Sequence, residues 1–188
     1  MIIPFIVAAA VIAVDQISKY IVKTNMTLYE SFPFIKYILN FNYIENEGAS
    51  WGILKDHRWV FMSLSSVALV FMLALIIYLG RKPIRKNNLM INISLAFMFG
   101  GGIGNMIDRF FNESAAIGKA GKKVVVDFLE FDFLQFENFK FPVFNIADSF
   151  ICIGSVLLCA CMFAGKYKLK GNVPFQKGAE DETETENI

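Results

Sequence analysis

The chain has 188 residues, 55% of them apolar and 19% charged, and 20 are phenylalanine. A soluble domain is usually about 45–50% apolar and about 25% charged, so disorder is excluded as the main state; three cysteines also make a poor disulfide scaffold. With 18 basic and 17 acidic residues the formal charge is +1, which disfavours a nucleic-acid surface, and the apolar excess points to a membrane.

A helix needs roughly 20 mostly apolar residues to cross a bilayer. Ile2 to Val22 qualifies, broken only by Asp15, Gln16, Ser18 and Lys19. It lacks a basic leader and a small-residue cleavage site, so it reads as a retained span and not a signal peptide. Residues 27–54 follow, and within them Ile35, Tyr37, Leu39, Phe41 and Tyr43 alternate with other residues. That period of two predicts a strand with one apolar face, closed by a turn at Asn46-Glu47-Gly48. Trp59 to Leu79 is the cleanest span, with Ser63, Ser65 and Ser66 as polar relief. Leu89 to Ile107 is the third, carrying Asn92, Ser94, a glycine cluster and Asn105. Between Asn112 and Lys123 a polar stretch with Gly118 and Gly121 reads as a mobile loop. Asp127 to Phe144 mixes phenylalanines with acids, which suits a membrane–water boundary. Val143 to Ala164 is the fourth span. No internal repeat and no second domain is evident. Residues 1–170 are expected to form one unit and 171–188 an acidic, disordered tail.

Orientation follows from basic residues in short loops. Gly80 to Asn88 holds Arg81, Lys82, Arg85 and Lys86, and the segment after span four holds Lys166, Lys168 and Lys170. Both are expected in the cytoplasm, as are the two termini, with Lys23–Arg58 and Asp108–Pro142 facing outward.

Carboxylates near hydrocarbon cost about 2.5–3.5 kcal/mol on insertion scales, and they usually face a bundle interior and mark a site. Asp15, Asp108 and Asp148 lie within or at the ends of spans, and Asp127 at the outer boundary. Asp15 and Lys19 are four apart and can pair. That pair serves either structure or substrate contact. Gly100 and Gly104 form a small-xxx-small pattern suited to close helix packing. Asp108 and Arg109 read as an ion pair at the span's end, or Arg109 as a residue orienting a neighbouring carboxylate. Asn145 and Asp148 share one helix face, where capping and a functional site are equally open. Two carboxyls brought together in low dielectric share a proton, and Asp127 and Asp148 are candidates for such a pair.

Other chemistries are poorly supported. The only histidine, His57, sits among Lys, Asp and Arg and reads as a surface residue. There is no metal-ligand spacing and no phosphate loop, so no metal or cofactor is expected. Cys152, Cys159 and Cys161 read as small buried apolar residues of span four.

Five motifs in order resemble the bacterial lipoprotein signal peptidases, also called signal peptidase II. They are Asp15-Gln16-Ile17-Ser18-Lys19, Asn46-Glu47-Gly48-Ala49-Ser50-Trp51-Gly52, Gly101-Gly102-Ile103-Gly104-Asn105-Met106-Ile107-Asp108-Arg109, Val126-Asp127-Phe128 and Phe144-Asn145-Ile146-Ala147-Asp148-Ser149. The resemblance implies an integral membrane, mainly α fold of four transmembrane helices, with a small extracytoplasmic β-cradle on the membrane surface. It implies an intramembrane aspartyl endopeptidase of the bacterial cytoplasmic (inner) membrane. Such enzymes cut diacylglyceryl-modified prolipoproteins just before the lipidated cysteine and are inhibited by globomycin. By motif position, Asp127 and Asp148 match the catalytic dyad. Asn46, Asn105, Arg109 and Asn145 match residues that surround it and position substrate. Asp15, Lys19, Gly48, Gly104 and Asp108 match structural motif positions. A monomer in contact with membrane lipid is expected. Two features depart from the pattern: the Asn112–Lys123 connection is longer than in compact members, and Trp51 stands where a smaller aromatic is expected. The rival readings are a small transporter or ion-pathway subunit using intramembrane Asp and Arg, and a non-catalytic membrane interaction protein.

Overall fold

The computed structural model describes residues 2–48, 58–81, 86–118, 121–136 and 139–163. His57, Trp51, the basic connection 82–85 and everything after 163, including the expected acidic tail, lie outside the described residues.

Four helices form the bundle: α1 (Ile2–Asn25), α2 (Arg58–Gly80), α3 (Lys86–Phe111) and α4 (Ile146–Phe163). All four contain a stretch long and apolar enough to cross a membrane. The third runs several residues beyond the expected end at Ile107, and the fourth begins at Ile146, three residues later than expected. The distribution of polarity is inverted relative to a soluble protein. Ile6, Ile17 and Ile21 on α1 and Leu64, Val67 and Phe71 on α2 are exposed, while Asp15, Lys19, Asn105 and Asp108 are buried. Lipid solvates the first group, and the bundle interior solvates the second. Two of the three cysteines correct the sequence expectation. Cys161 is buried, but Cys152 and Cys159 lie exposed on the outer face of α4, where a weakly polar thiol is at home against lipid.

Helix α3 is central because its glycines admit backbone contact on two sides. A methyl on Gly104 would stand 2.5 Å from Asp15 Oδ2 on α1, and one on Gly100 2.8 Å from the Ala8 carbonyl. The small-xxx-small pattern therefore packs α3 on α1. A methyl on Gly101 would collide with the Ala147 carbonyl oxygen of α4 and stand 2.9 Å from Ile151 Cγ1. Gly101→Ala must therefore separate α3 from α4, an overpacking cost of about 1–3 kcal/mol. The expected result is a lower melting temperature in detergent. Gly102→Ala, where the methyl meets only the rotatable Leu69 side chain, should be much milder.

At one end of the bundle lies an antiparallel sheet of β1 (Ser31–Ile35), β2 (Leu39–Asn46) and β3 (Val125–Phe131), in that order. The single strand expected across Ile35–Tyr43 is in fact a hairpin. Ser31 pairs with Asn42 and Ile35 with Leu39, and the chain reverses through Tyr37 at φ 66°. The alternation of apolar residues continues through the turn, so periodicity alone could not reveal the reversal. Strand β2 carries β3 in the register Asn46↔Val125, Ile44↔Asp127 and Leu39↔Phe131. Tyr43, Val126 and Phe128 bury against Val22 of α1, which fastens the sheet to the bundle. A short pair, β4 (Gln135–Phe136) with β5 (Phe139–Lys140), follows before α4.

The stretch expected to be a mobile loop is tied down where it is described. Glu113 bridges Lys123, and Val124 N–H donates to the Asn112 carbonyl at 3.0 Å. Glu45 at the end of β2 accepts from Ser114 Oγ at 2.5 Å and from the Ala115 N–H at 2.8 Å. Lys122 pairs with Glu47 at 3.1 Å. Gly118 and Gly121 both take φ 80°, a conformation that favours glycine.

Candidate active site

Asp127 enters the site from β3 and Asp148 from the first turn of α4. Both line one cavity of about 490 Å³, together with Asn46, Asn105, Arg109 and apolar side chains of α2 and α3. The separation of 21 residues in sequence is closed because Leu129 bridges Phe144, which returns the chain to β3 just before α4 begins.

Among the described residues, each oxygen of the two carboxyls has a hydrogen-bond donor. Asn46 Nδ2 donates to Asp127 Oδ2 at 3.0 Å, and Asn145 Nδ2 to Asp127 Oδ1 at 2.6 Å. Asn105 Nδ2 donates to Asp148 Oδ1 at 2.7 Å, and the Asn145 N–H to Asp148 Oδ2 at 3.2 Å. The three amides cannot turn over, because the oxygen of each faces a group that only donates. Asn46 Oδ1 accepts from the Gly48 N–H at 3.0 Å, Asn145 Oδ1 from the Asp148 N–H at 2.9 Å, and Asn105 Oδ1 from Lys19 Nζ at 3.0 Å. Each NH₂ is thereby aimed at a carboxyl.

The bonds between Asn145 and Asp148 are reciprocal. They form a capping box at the start of α4, with Asp in the place usually held by Glu or Gln. The capping reading of this pair holds, and the same cap sets Asp148 in the cavity wall.

Behind the pair lies a buried charge cluster. Lys19 Nζ stands 2.8 Å from Asp15 Oδ2 and 2.9 Å from Asp108 Oδ2. Asp15 Oδ1 accepts from the N–H of Ala147, the residue before Asp148, at 2.9 Å. Gln16 Nε2 donates to Asp108 Oδ1 at 3.2 Å and to the Gly104 carbonyl at 3.1 Å. The structure thus pairs Asp108 with Lys19. Arg109 instead donates to the Asn105 carbonyl at 2.9 Å and to the carbonyl of Gly48, just past the end of β2, at 3.4 Å, with its guanidinium 4.7 Å from the Phe61 ring centroid. Gln16 is the residue that sequence reasoning passed over. Its place between Asp15 and Lys19 in the first motif was the available signal.

Asp127 is 2% exposed. Burial first, and the charge of Asp148 second, push its carboxyl from an ordinary value near 3.8 up to about 7. The hydrogen bonds from Asn46 and Asn145 and the charge of Lys19 oppose the rise. A protonated carboxyl beside a second carboxyl can carry out general acid–base work at neutral pH. Among the described residues no group of His, Cys, Asp and Glu could hold a metal ion.

Residues 7–164 match the family described as "Signal peptidase (SPase) II". A lipoprotein signal peptidase of Listeria monocytogenes serotype 4a (strain HCC23) is 35% identical over 167 residues, 89% of this chain and 97% of that protein. Two solved structures, both described as bacterial membrane enzymes, are also similar. One has a TM-score of 0.67 at 28% identity, covering 94% of this chain and 93% of its own. The other has a TM-score of 0.64 at 31% identity, covering 85% and 91%.

Proposed function

The chain belongs to the signal peptidase II family, and from that premise we propose that Asp127 and Asp148 are the catalytic pair of an intramembrane aspartyl endopeptidase. The protein is a membrane-spanning protease that removes signal peptides from lipoproteins. The observation that carries the catalytic assignment is the shared cavity with both carboxyls in its wall and a fixed donor on each of their oxygens.

One proton is shared by the pair, and Asp127 is its better seat, because burial favours the neutral form there. The ionised carboxyl takes a proton from water while that water's oxygen attacks the scissile carbonyl carbon. The protonated carboxyl gives its proton to the carbonyl oxygen. Collapse of the resulting diol breaks the C–N bond, with a proton delivered to the leaving amine, and the dyad returns to its singly protonated form. Asn46, Asn105 and Asn145 hold the carboxyls, and Arg109 lies at the rim between α3 and β2.

The substrate is a prolipoprotein carrying diacylglyceryl on the cysteine that follows the cut. Leu69, Met72, Met98 and Ile151 line the same cavity, an apolar wall suited to the acyl chains. The protein works as a monomer surrounded by lipid in the bacterial cytoplasmic membrane. Its sheet lies at the extracytoplasmic surface and both termini are cytoplasmic, a reading supported by the basic residues of the sequence's short connections. Globomycin is expected to compete with substrate. A relay reading has less support. Among the described residues the buried charged side chains Asp15, Lys19, Asp108 and Asp127 belong to one cluster, whereas an ion path needs them spread through the membrane's depth.

The deciding experiment is cleavage by the purified protein in detergent, with a diacylglyceryl-modified prolipoprotein and its unlipidated form as substrates. Wild type should cut only the lipidated substrate, and Asp148→Asn should cut neither. Near-normal turnover by folded Asp148→Asn would remove that residue from the mechanism.

A further inference from the structure

Lys19 makes no part of the cavity wall that holds the two carboxyls, and it is 2% exposed. Yet its ammonium is one hydrogen-bonded residue away from the pair. Lys19 Nζ donates to Asn105 Oδ1 at 3.0 Å, and Asn105 Nδ2 donates to Asp148 Oδ1 at 2.7 Å. The same ammonium holds Asp108 Oδ2 at 2.9 Å, and that oxygen accepts from the N–H of Val126, the residue before Asp127, at 3.4 Å. It also holds Asp15, which accepts from the N–H of the residue before Asp148. One cation thus connects to the backbone beside each carboxyl and to the amide that touches one of them.

Resting on the aspartyl reading above, we propose that Lys19 is a positioning residue for Asp127 and Asp148. It orients Asn105 from behind and sets the charge balance against which the pair shares its proton. The charged groups on every element packed around it define that balance. Asp15 stands on α1, Asp108 on α3, Asp148 on α4 and Asp127 on β3. Arg109 stands on α3 in the wall of the same cavity, near the Gly48 carbonyl and the Phe61 ring, and is the same in every variant compared. Asp15, Lys19 and Asp108 together carry one net negative charge when ionised. Loss of Lys19 leaves two negative charges behind the dyad, and loss of the Asp108 charge leaves none. The two changes therefore act on the shared proton in opposite directions, which a purely structural brace would not do.

The test is the pH profile of kcat on the lipidated prolipoprotein for wild type, Lys19→Gln, Lys19→Arg and Asp108→Asn. Lys19→Gln should move the profile toward alkaline pH by about one unit, the size a unit charge exerts across about 10 Å of protein. Asp108→Asn should move it toward acid by a similar amount. Lys19→Arg keeps the charge and should leave its position unchanged. KM should change little, because Lys19 does not face the substrate cavity. If Lys19→Gln does not fold, the direction of the Asp108→Asn shift decides. Profiles that keep their position and only fall in height, or that move the same way in both variants, overturn the proposal. Asp127→Asn is assayed alongside. Cleavage by that variant would sink the aspartyl reading itself, whatever the Lys19 series shows.

Discussion

Asp127→Asn should give a protein that no longer cleaves prolipoprotein, yet its melting temperature should gain on that of wild type as the pH is raised from 4 to 7. The folded state holds this carboxyl up at about 7, against an ordinary value near 3.8, mainly through burial. A carboxyl raised on folding contributes stability that is fully present below about pH 4 and is lost as the pH rises through about 7. In that window the unfolded chain ionises freely while the folded chain must keep its proton. The loss amounts to roughly 4 kcal/mol at most, from a rise of about three units. Asparagine does not titrate, so the variant escapes the loss. It also introduces a fixed cost. Asn46 and Asn145 both donate to Asp127, and an amide can accept on one side only, so one donor faces another. That mismatch costs about 1–3 kcal/mol and is independent of pH. The sign of the stability difference at any single pH is therefore uninformative, and its slope is the result. Thermal unfolding in detergent at a series of pH values measures it. A difference that stays flat from pH 4 to 7 would mean that Asp127 is not held neutral.

Asn145→Ala is expected to cost about 3 kcal/mol and to lower kcat at least about a hundred-fold. The side chain is fully buried and serves two structures. Its oxygen caps α4 through the Asp148 N–H, and its NH₂ reaches Asp127 and, at 3.0 Å, Asn105 Oδ1. Loss of the cap costs about 1 kcal/mol, and the buried acceptors left without a donor about 1–3 kcal/mol more. The catalytic loss follows from displacement, since a shift of about 1 Å in a reacting group can cost about a hundred-fold. Asn145→Ser separates the two roles. Its hydroxyl still accepts from the Asp148 N–H, so the cap and part of the stability return. It is too short to donate to Asp127, so activity does not. Melting temperature and kcat, measured together on both variants, give the answer. Alanine turnover within ten-fold of wild type would show that Asn145 does not hold the pair.

The parts of the fold that depend on local composition were legible in the sequence. Four apolar stretches become four helices within a few residues, and Asp15 and Lys19 pair because four positions on a helix place them on one face. Gly100 and Gly104 pack on α1 as their spacing suggests. What could not be read depends on partners distant in the chain. Asp108 has Arg109 as its neighbour in sequence, but its cation comes from α1. The polar stretch after Asn112 has the composition of a free loop, and Glu45 and Glu47, far earlier in the chain, help to fasten it. The reversal at Tyr37 was hidden because two paired strands kept the same alternation. For the site, the motif order named Asp127 and Asp148, but the residue types carry no sign of which way each amide points. That information resides in the Gly48 N–H, the Asp148 N–H and Lys19.

The locking of these three amides bears on the barrier itself. In water, a proton that changes place forces the surrounding dipoles to reorient, and that reorganisation is a large share of what makes such transfers slow. Asn46, Asn105 and Asn145 have no such freedom, since each is gripped at its far end by a group that can only donate. Their dipoles already face the carboxyls before any substrate arrives. In the proposed mechanism, a proton passing between Asp127, water and Asp148 would move through a field that was set when the chain folded, with little solvent-like relaxation left to wait for.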